Sequence, residues 1–449
     1  MSHPPGAGSE DFEATGQGAS VRSAKRLHRA GFTVPGLRWW IAGLLLAATL
    51  ISYIDRLTLS ILAPAICADL KLSNLQYAGI NVWFLLAYSL GQTLFGRLQD
   101  RMGTKFGLTV AMTMWSIAEV LHAFTRSLRG LSFFRFCLGF GEGGHWPAAI
   151  KGVAEWFPRK ERAFAMGIVN TGATLGSTIA PLLVVWLQLS FGWRTTFIVT
   201  GLMGFFWLVV WVVCYQAPAL HPWLHPREHE TIQADRFRER SIAEDAGLLK
   251  LLKNPMVLGI CLARFLGDPV WWIYLVWLPL YLARARGLDL KTIGLSVWLP
   301  YLCADVGALL GGYSSGWLIR RGKSPVHARF IAIVFAALLT PAGIFVLAVQ
   351  SLAATLALIS AVLFAFQFWI NNVQTLAGDF FPNELVASIS GLGGTSAGIG
   401  AMVVTLFTGW VVDHFGYSPM LVLSALLVPA ATLALFFLAR QPQSVPTQT

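Results

Sequence analysis

The sequence predicts an all-α integral membrane protein with twelve transmembrane helices arranged as two six-helix pseudo-repeats. Three observations carry that prediction: an extreme apolar composition, a regular alternation of long apolar runs with short charged links, and an internal repeat. Of 449 residues, 55% are hydrophobic and only 12% charged, whereas globular domains average roughly 25% charged. A mean hydropathy of +0.62 is too apolar for a water-exposed surface. It overrules the two or three soluble domains that the length alone would suggest, at roughly 150 residues each. Intrinsic disorder, collagen, a disulfide scaffold and a nucleic-acid module are all disfavoured.

Taken in order, residues 1–38 are rich in Gly, Ser and Ala with scattered charges and lack the apolar run of a signal peptide. They read as a disordered cytoplasmic tail. Apolar runs of roughly 20 residues, the length that crosses a bilayer as a helix, then fall near 39–66, 76–98, 106–126, 129–153, 162–189 and 194–216. One long polar link follows, 217–254, with Arg227, Arg236, Arg238 and Arg240 among several acids. Six further runs lie near 255–283, 291–319, 326–349, 352–378, 385–411 and 417–440, before a short tail at 441–449. The expected organisation is therefore a bundle at 39–216, a cytoplasmic linker at 217–254, and a second bundle at 255–440.

Lys and Arg set the expected orientation. With the N-terminus inside, the inner segments carry 23 of the 33 and the outer loops 7, with 3 inside spans. That satisfies the positive-inside rule and places both termini in the cytoplasm. It also accounts for the net charge of +11, because these charges face anionic headgroups rather than nucleic acid. The five cysteines form no CxxC or Cys/His cluster, so neither a disulfide, a metal site nor a cofactor is expected.

The duplication is visible in the residues. Phe157-Pro158, Ala163, Gly167, Thr171, Ala173 and Gly176 recur as Phe381-Pro382, Ala387, Gly391, Thr395, Ala397 and Gly400, always 224 apart. Gly96-Arg97-Leu98-Gln99-Asp100-Arg101 is echoed by Gly316-Trp317-Leu318-Ile319-Arg320-Arg321 at an offset of 220. Two such halves with a site between them at mid-membrane describe a rocking transporter.

Eight ionisable groups fall inside spans: Asp55, Arg56, Glu119, Arg135, Glu142, Arg264, Asp268 and Asp305. Each costs at least ~2.5–3.5 kcal/mol at the bilayer centre, so most must line a cavity or pair. Arg135 and Glu142, seven apart, lie within about 20° of one helix face and are expected to project into one cavity at different depths. Asp55 and Arg56 are adjacent and diverge by about 100°. Arg264 and Asp268 are spaced i,i+4 for an ion pair. Three readings stand. Arg56 and Arg135 clamp an anionic substrate while Asp55 and Glu142 carry a coupled proton, since a carboxyl in a low-dielectric cavity holds its proton more readily. Alternatively, Arg56 and Arg264 hold a phosphate ester, or all are buried salt bridges that fix helix registry. Asn170, Gln367, Asn371, Asn372 and Gln374 are candidates for sugar hydroxyls or for helix–helix contacts. Trp271, Trp272 and Trp298 are candidates for stacking on a pyranose or for interface anchoring. Glu119 and His122 read as local partners, and His145 could tune Glu142.

The loop Gly96-x-Leu98-x-Asp100-Arg101-x-Gly103-x-Lys105 resembles the signature loop of the major facilitator superfamily. Physically, a carboxylate at a helix N-terminus, favoured by the helix dipole, together with neighbouring Arg, can form a charge latch between the halves; the alternative is a solvated, positive-inside turn. Arg320 replaces Asp100 in the second copy, so that latch should be weaker or differently made. The run Tyr53-Ile54-Asp55-Arg56-x-x-Leu59-Ser60-x-x-x-Pro64, with Arg135, Glu142, Pro147 and Glu155-Trp156-Phe157-Pro158, resembles the anion:cation symporter branch. Gly36-Leu37-Arg38-Trp39-Trp40, Ala263-Arg264-Phe265-Leu266-x-Asp268-Pro269 and Trp298-Leu299-Pro300-x-Leu302-x-Ala304-Asp305-x-Gly307 look most like bacterial hexuronate transporters.

The resemblance implies the major facilitator fold and proton-driven uptake of galacturonate or glucuronate across the bacterial inner membrane by a monomer, with no enzymatic chemistry. It makes Arg56 and Arg135 the carboxylate-binding pair, Asp55 and Glu142 the protonatable pair, and Tyr53 and Tyr88 cavity tyrosines. An organophosphate exchanger and a non-transporting membrane sensor are the alternatives; the 38-residue tail and linker are short for a signalling domain.

Overall fold

Proline and glycine, more than hydropathy, decide where the helices of the computed structural model start and bend. It describes residues 33–72, 74–233, 251–288 and 298–439. Most of the expected N-terminal tail, the C-terminal tail, the linker from 234 to 250 and the start of the eighth expected span lie outside the described residues. The helices are α1 Leu37–Leu70, α2 Asn74–Met102, α3 Thr104–His122, α4 Leu128–Glu142, α5 His145–Trp156 and α6 Arg159–Cys214. The linker holds a 3₁₀ turn and α7 Pro226–Gln233. The second half comprises α8 Pro255–Gly267, α9 Pro269–Arg284, α10 Trp298–Arg320, α11 Pro325–Leu339 with a 3₁₀ extension Thr340–Leu347, α12 Leu352–Phe380, α13 Asn383–Phe415 and α14 Ser418–Ala439.

These pieces fall where the twelve expected spans fall, with three differences that have local causes. The expected span 129–153 is two helices, α4 and α5, joined through the Gly143-Gly144 pair. Within α6, the non-helical backbone of Gly192 (φ 83°) is a kink that divides two helical segments, as the separate expected spans 162–189 and 194–216 require. The expected span 255–283 breaks after Asp268, because Pro269 lacks an N–H and cannot continue the i→i−4 ladder. The ninth loosens into the 3₁₀ turn beginning at Thr340-Pro341. Among the described residues, seven helices are long and apolar enough to cross a membrane by length and composition alone. Breaks such as Gly143-Gly144 keep other pieces below that length.

Helix starts follow capping chemistry. Asn254 Oδ1 accepts from the Met256 and Val257 N–H groups ahead of Pro255, and Ser324 accepts from His327 ahead of Pro325. The first helix is capped from outside its own sequence: Glu228 of α7 accepts from the Leu37 and Arg38 N–H groups at 3.1 and 3.2 Å. Arg38 adds ion pairs to Glu228 and Glu161, both at 2.9 Å. The described part of the linker is thereby fastened to the first half. The two signature turns also match in backbone: Gly103 and Gly322 both sit at φ 88°, where a side chain would be strained.

The halves meet along two seams. In one, α2 packs on α13; in the other, α6 packs on α10. The duplication exchanges these seams, and the repeated residues found in the sequence lie along them. Bonds that join the halves run from mid-helix, at Thr174–Asp305 and Ser89–Thr395, to the end of the bundle where α1 begins and α14 ends.

Candidate functional site

Beyond the sealed end lies a cavity between the halves, roughly 790 Å³ with its open mouth included. The first half contributes Tyr53 and Arg56 from α1, Tyr88 and Gln92 from α2, Trp146 from α5 and Asn170 from α6. The second contributes Arg264, Asp268, Trp271, Trp272, Gln367 and Gln374, with the small face Gly394, Ala397 and Gly398 of α13. Aromatic walls with a few convergent polar groups are the usual make-up of a small-molecule site.

Arg56 is the first half's charge at the wall. Its Nη2 and Nε donate to Glu142 Oε2 at 2.7 and 3.2 Å, and Ser52 Oγ donates to the same oxygen at 3.0 Å. Glu142 is fully buried, while Arg56 keeps 13% of its side chain exposed. The guanidinium lies 4.9 Å from the Tyr53 ring centroid and 4.8 Å from that of Tyr88, a cation–π cradle that fixes it at the cavity face. Glu142 Oε1 has no hydrogen-bond partner among the described residues.

Other expected site residues fall behind this layer. Adjacent residues on a helix diverge, and Asp55 accordingly points away from the cavity into the first half, fully buried among Glu119, Arg135 and Trp115. Neither Arg135 nor Glu142 is among the residues that line the cavity, which corrects the expectation that the two project into it together. The Arg135 guanidinium sits 4.5 Å from the Phe84 ring and its Nη2 donates to the Arg56 carbonyl at 3.0 Å, so it buttresses the α1 backbone at Arg56. Glu119 accepts from Thr200 at 3.0 Å and lies 4.0 Å from His122, a local pair as expected. His145 bonds Thr49 at 2.8 Å rather than Glu142.

The amides divide. Asn170 lines the cavity and donates to Asn371 Oδ1 at 2.6 Å and to Gln374 at 3.4 Å, across the halves. Asn371 is fully buried and donates to the Ala163 and Ala308 carbonyls. It is a packing amide, so its expected role as a sugar contact does not hold in this conformation. Asn372 likewise serves the Gly311 and Phe368 carbonyls. On the second half's wall Arg264 donates to Asp268 Oδ2 through Nη2 (2.8 Å) and Nε (3.1 Å), the expected i,i+4 pair.

The seal is a latch in two parts. Asp100 accepts from the Ala387 and Ser388 N–H groups of α13 at 3.2 and 2.6 Å and pairs with Lys151 at 2.8 Å. Gly96 lies close under the Ala387 carbonyl, where any Cβ would collide. The expected arginine contribution is corrected: Arg101 is exposed, and buried Lys151 supplies the charge. The second part does not use Arg320, whose guanidinium lies over Tyr313. Asp379 instead joins Arg162 across the halves (3.3 Å) and Arg329 in its own half (2.9 Å), while Arg162 also donates to the Gly378 carbonyl and Arg329 to that of Arg159. Sequence reasoning missed Lys151, Arg162, Arg329 and Asp379. Their signal was available as charges at the edges of apolar runs, two of them, Arg162 and Asp379, close beside the repeated Phe-Pro pairs.

Two apolar-walled bundles, sealed at one end around a cavity with opposed ion pairs, have the make-up of a membrane transporter. Residues 45–405 match the Major Facilitator Superfamily, and the chain belongs to that family. Among its relatives, a hexuronate transporter of Escherichia coli (strain K12) is 32% identical over 392 residues, covering 86% of this chain and 90% of the relative. A galacturonate transporter of Dickeya chrysanthemi is 34% identical over 284 residues, 63% of this chain and 82% of its own. In fold, a proton:xylose symporter superposes with a TM-score of 0.71 at 16% identity, covering 89% of this chain and 95% of that one.

Proposed function

We propose that this protein imports a sugar acid, a hexuronate such as galacturonate or glucuronate, together with protons across a bacterial inner membrane. The observation that carries the reading is the Arg56–Glu142 pair at the cavity wall. A substrate carboxylate competes with Glu142 for the Arg56 guanidinium, and on this reading Glu142 releases it by taking up a proton. Proton and anion thus enter as a pair, and the site closes with less net charge to bury. The names of the relatives support the substrate class, since they are described as hexuronate and galacturonate transporters.

The Lys and Arg distribution supports placing the sealed end in the cytoplasm, which makes this conformation open to the outside. Release would then follow when the Asp100 and Asp379 latches part and the cavity turns inward. We take the working unit to be a monomer. Asp55 serves behind the site, as a second carboxylate facing Arg135, rather than as a substrate contact.

The test is uptake of labelled galacturonate into proteoliposomes, with and without an inward proton gradient, and with glucuronate, galactonate and phosphate as competitors. Accumulation driven by the gradient and blocked by uronates is expected. Competition by phosphate alone would favour an organophosphate exchanger and overturn the substrate. Glu142→Gln is expected to keep substrate exchange and to lose acid-driven accumulation; loss of exchange in folded protein would count against the paired entry of proton and anion.

A further inference from the structure

The cavity has a second arginine–carboxylate pair, and it is built unlike the first. Arg56 and Glu142 stand on different helices, α1 and α4, so helix movement can separate them. Arg264 and Asp268 lie one turn apart on a single span, where the Asp268 N–H also donates to the Arg264 carbonyl at 3.1 Å. Rocking of the halves cannot pull this pair apart. A pair that moves as one unit is poorly suited to exchange a proton for an anion, and well suited to present a fixed, ionised carboxylate.

That carboxylate has capacity to spare. Both Arg264 donors converge on Oδ2, and Oδ1 is buried with no hydrogen-bond partner among the described residues, while the side chain as a whole stays 13% exposed. An ionised carboxylate accepts through about four lone-pair sites, so Asp268, which lines the cavity, keeps acceptor positions that no protein donor fills. Its neighbours fit a polyol more than a second anion. Trp271 and Trp272 begin the next helix at the same wall, and Gln367 and Gln374 face it from α12.

Resting on the sugar-acid reading above, we propose that Asp268 is a specificity-determining residue that accepts hydrogen bonds from substrate hydroxyls, with Arg264 positioning it. The first half then reads the carboxylate and the proton, and the second half reads the hydroxylated ring. Arg264 is in this assignment a positioning residue and not a second anion clamp.

The experiment measures two competitors of uptake in proteoliposomes: galacturonate, and tetrahydropyran-2-carboxylate, which keeps a ring and a carboxylate but has no hydroxyls. The ratio of their inhibition constants is independent of how much protein folds. A site built to bond hydroxyls discriminates strongly against a ligand lacking them. Asp268→Ala is expected to shrink that ratio by at least about tenfold, and Asp268→Asn, which keeps an acceptor oxygen, by less. The pH dependence of uptake should move in Glu142→Gln and stay in place in Asp268→Asn. Equal weakening of both competitors in Asp268→Ala, or a shifted pH profile in Asp268→Asn, would overturn the assignment. Should the unsubstituted, folded protein bind neither compound, the sugar-acid reading itself falls, and this inference falls with it. Binding of galacturonate with an unchanged ratio in Asp268→Ala sinks the inference alone.

Discussion

The two seams between the halves are copies by sequence and differ by one helical turn in space. Along α2–α13, Gly391 lies against the Gln92 carbonyl and Gly96 against that of Ala387. The repeat equivalents of Gly391 and Gln92 are Gly167 and Gly312, yet Gly167 meets Ala308 and Gly312 meets Ala163. Each contact in α6–α10 is displaced by about four residues relative to its copy, one turn of helix. The latch chemistry shifts with it. Asp100 closes the first seam, whereas its equivalent Arg320 is exposed at the second. Asp379 closes the second, whereas its equivalent Glu155 bonds Thr104 and Tyr215 inside the first half. Duplication preserved the small residues that let helices approach and left each seam to find its own charges.

The seams should therefore respond unequally to loss of their carboxylates. Asp379 stands between two buried arginines, Arg162 and Arg329, with side chains 6% and 0% exposed. Asp379→Asn removes the counter-charge that the two arginines share, and breaking a buried pair in this way costs about 3–5 kcal/mol. Thermal unfolding in detergent should fall accordingly, and a cysteine probe near Arg159 should become more accessible as the sealed state is depopulated. At Asp100 an asparagine still offers an oxygen to the Ser388 N–H, and Lys151 keeps its bond to the Gln99 carbonyl at 2.9 Å. Asp100→Asn should lose less. Equal loss at both sites would erase the distinction between the latches.

How far the sequence showed this can be argued from the same residues. Hydropathy and the offsets of 224 and 220 located the helices and named Gly96, Asp100, Ala387 and Gly391, which all lie at the first seam. Facing directions were legible where they follow from helix geometry, as with Asp55 turned away from Arg56. What stayed hidden is whatever depends on contacts between distant segments. Arg135 and Glu142 share a helix face, but α1 passes between Arg135 and the cavity, and only the fold places it there. The buried set Arg162, Arg329 and Asp379 comes from three helices, and no spacing along the chain joins them. Asn371 and Asn170 look alike in sequence; packing made one a spacer and left the other at the wall.

Packing tests the seams more gently than charge does. A Cβ at Gly391 would collide with the Gln92 backbone carbonyl, and one at Gly312 with that of Ala163. Backbone cannot yield as a long side chain can, so Gly391→Ala and Gly312→Ala should each cost about 1–3 kcal/mol as overpacked contacts. The cost falls on the sealed state alone, since the seams part there when the cavity turns to the other side. Both variants should therefore shift the population toward the state open at the terminal end, readable as a longer distance between spin labels on α2 and α13 near Met102 and Asn383. If Gly391→Ala lengthens that distance and Gly312→Ala does not, the one-turn displacement has made the α6–α10 seam the looser of the two.

The smallest expected effect is the most diagnostic of where the seams begin. Thr174 Oγ1 donates to Asp305 Oδ1 at 2.8 Å, a single neutral-to-charged bond at mid-helix between α6 and α10. Its repeat equivalent is Gly398, which has no side chain and packs against Ser89. The α2–α13 seam thus manages without a counterpart, and instead joins Thr395 to the Ser89 carbonyl and to Thr93 at 2.7 Å. Thr174→Val keeps the shape and removes the donor. Asp305 is only partly buried, so water can replace the lost hydroxyl and the cost should stay near the low end of a hydrogen bond to a charged group, about 1 kcal/mol or less. Uptake should change by no more than severalfold. A collapse of transport in Thr174→Val, with stability intact, would mean that this bond is the pivot on which the halves turn, and that the α6–α10 seam carries the motion.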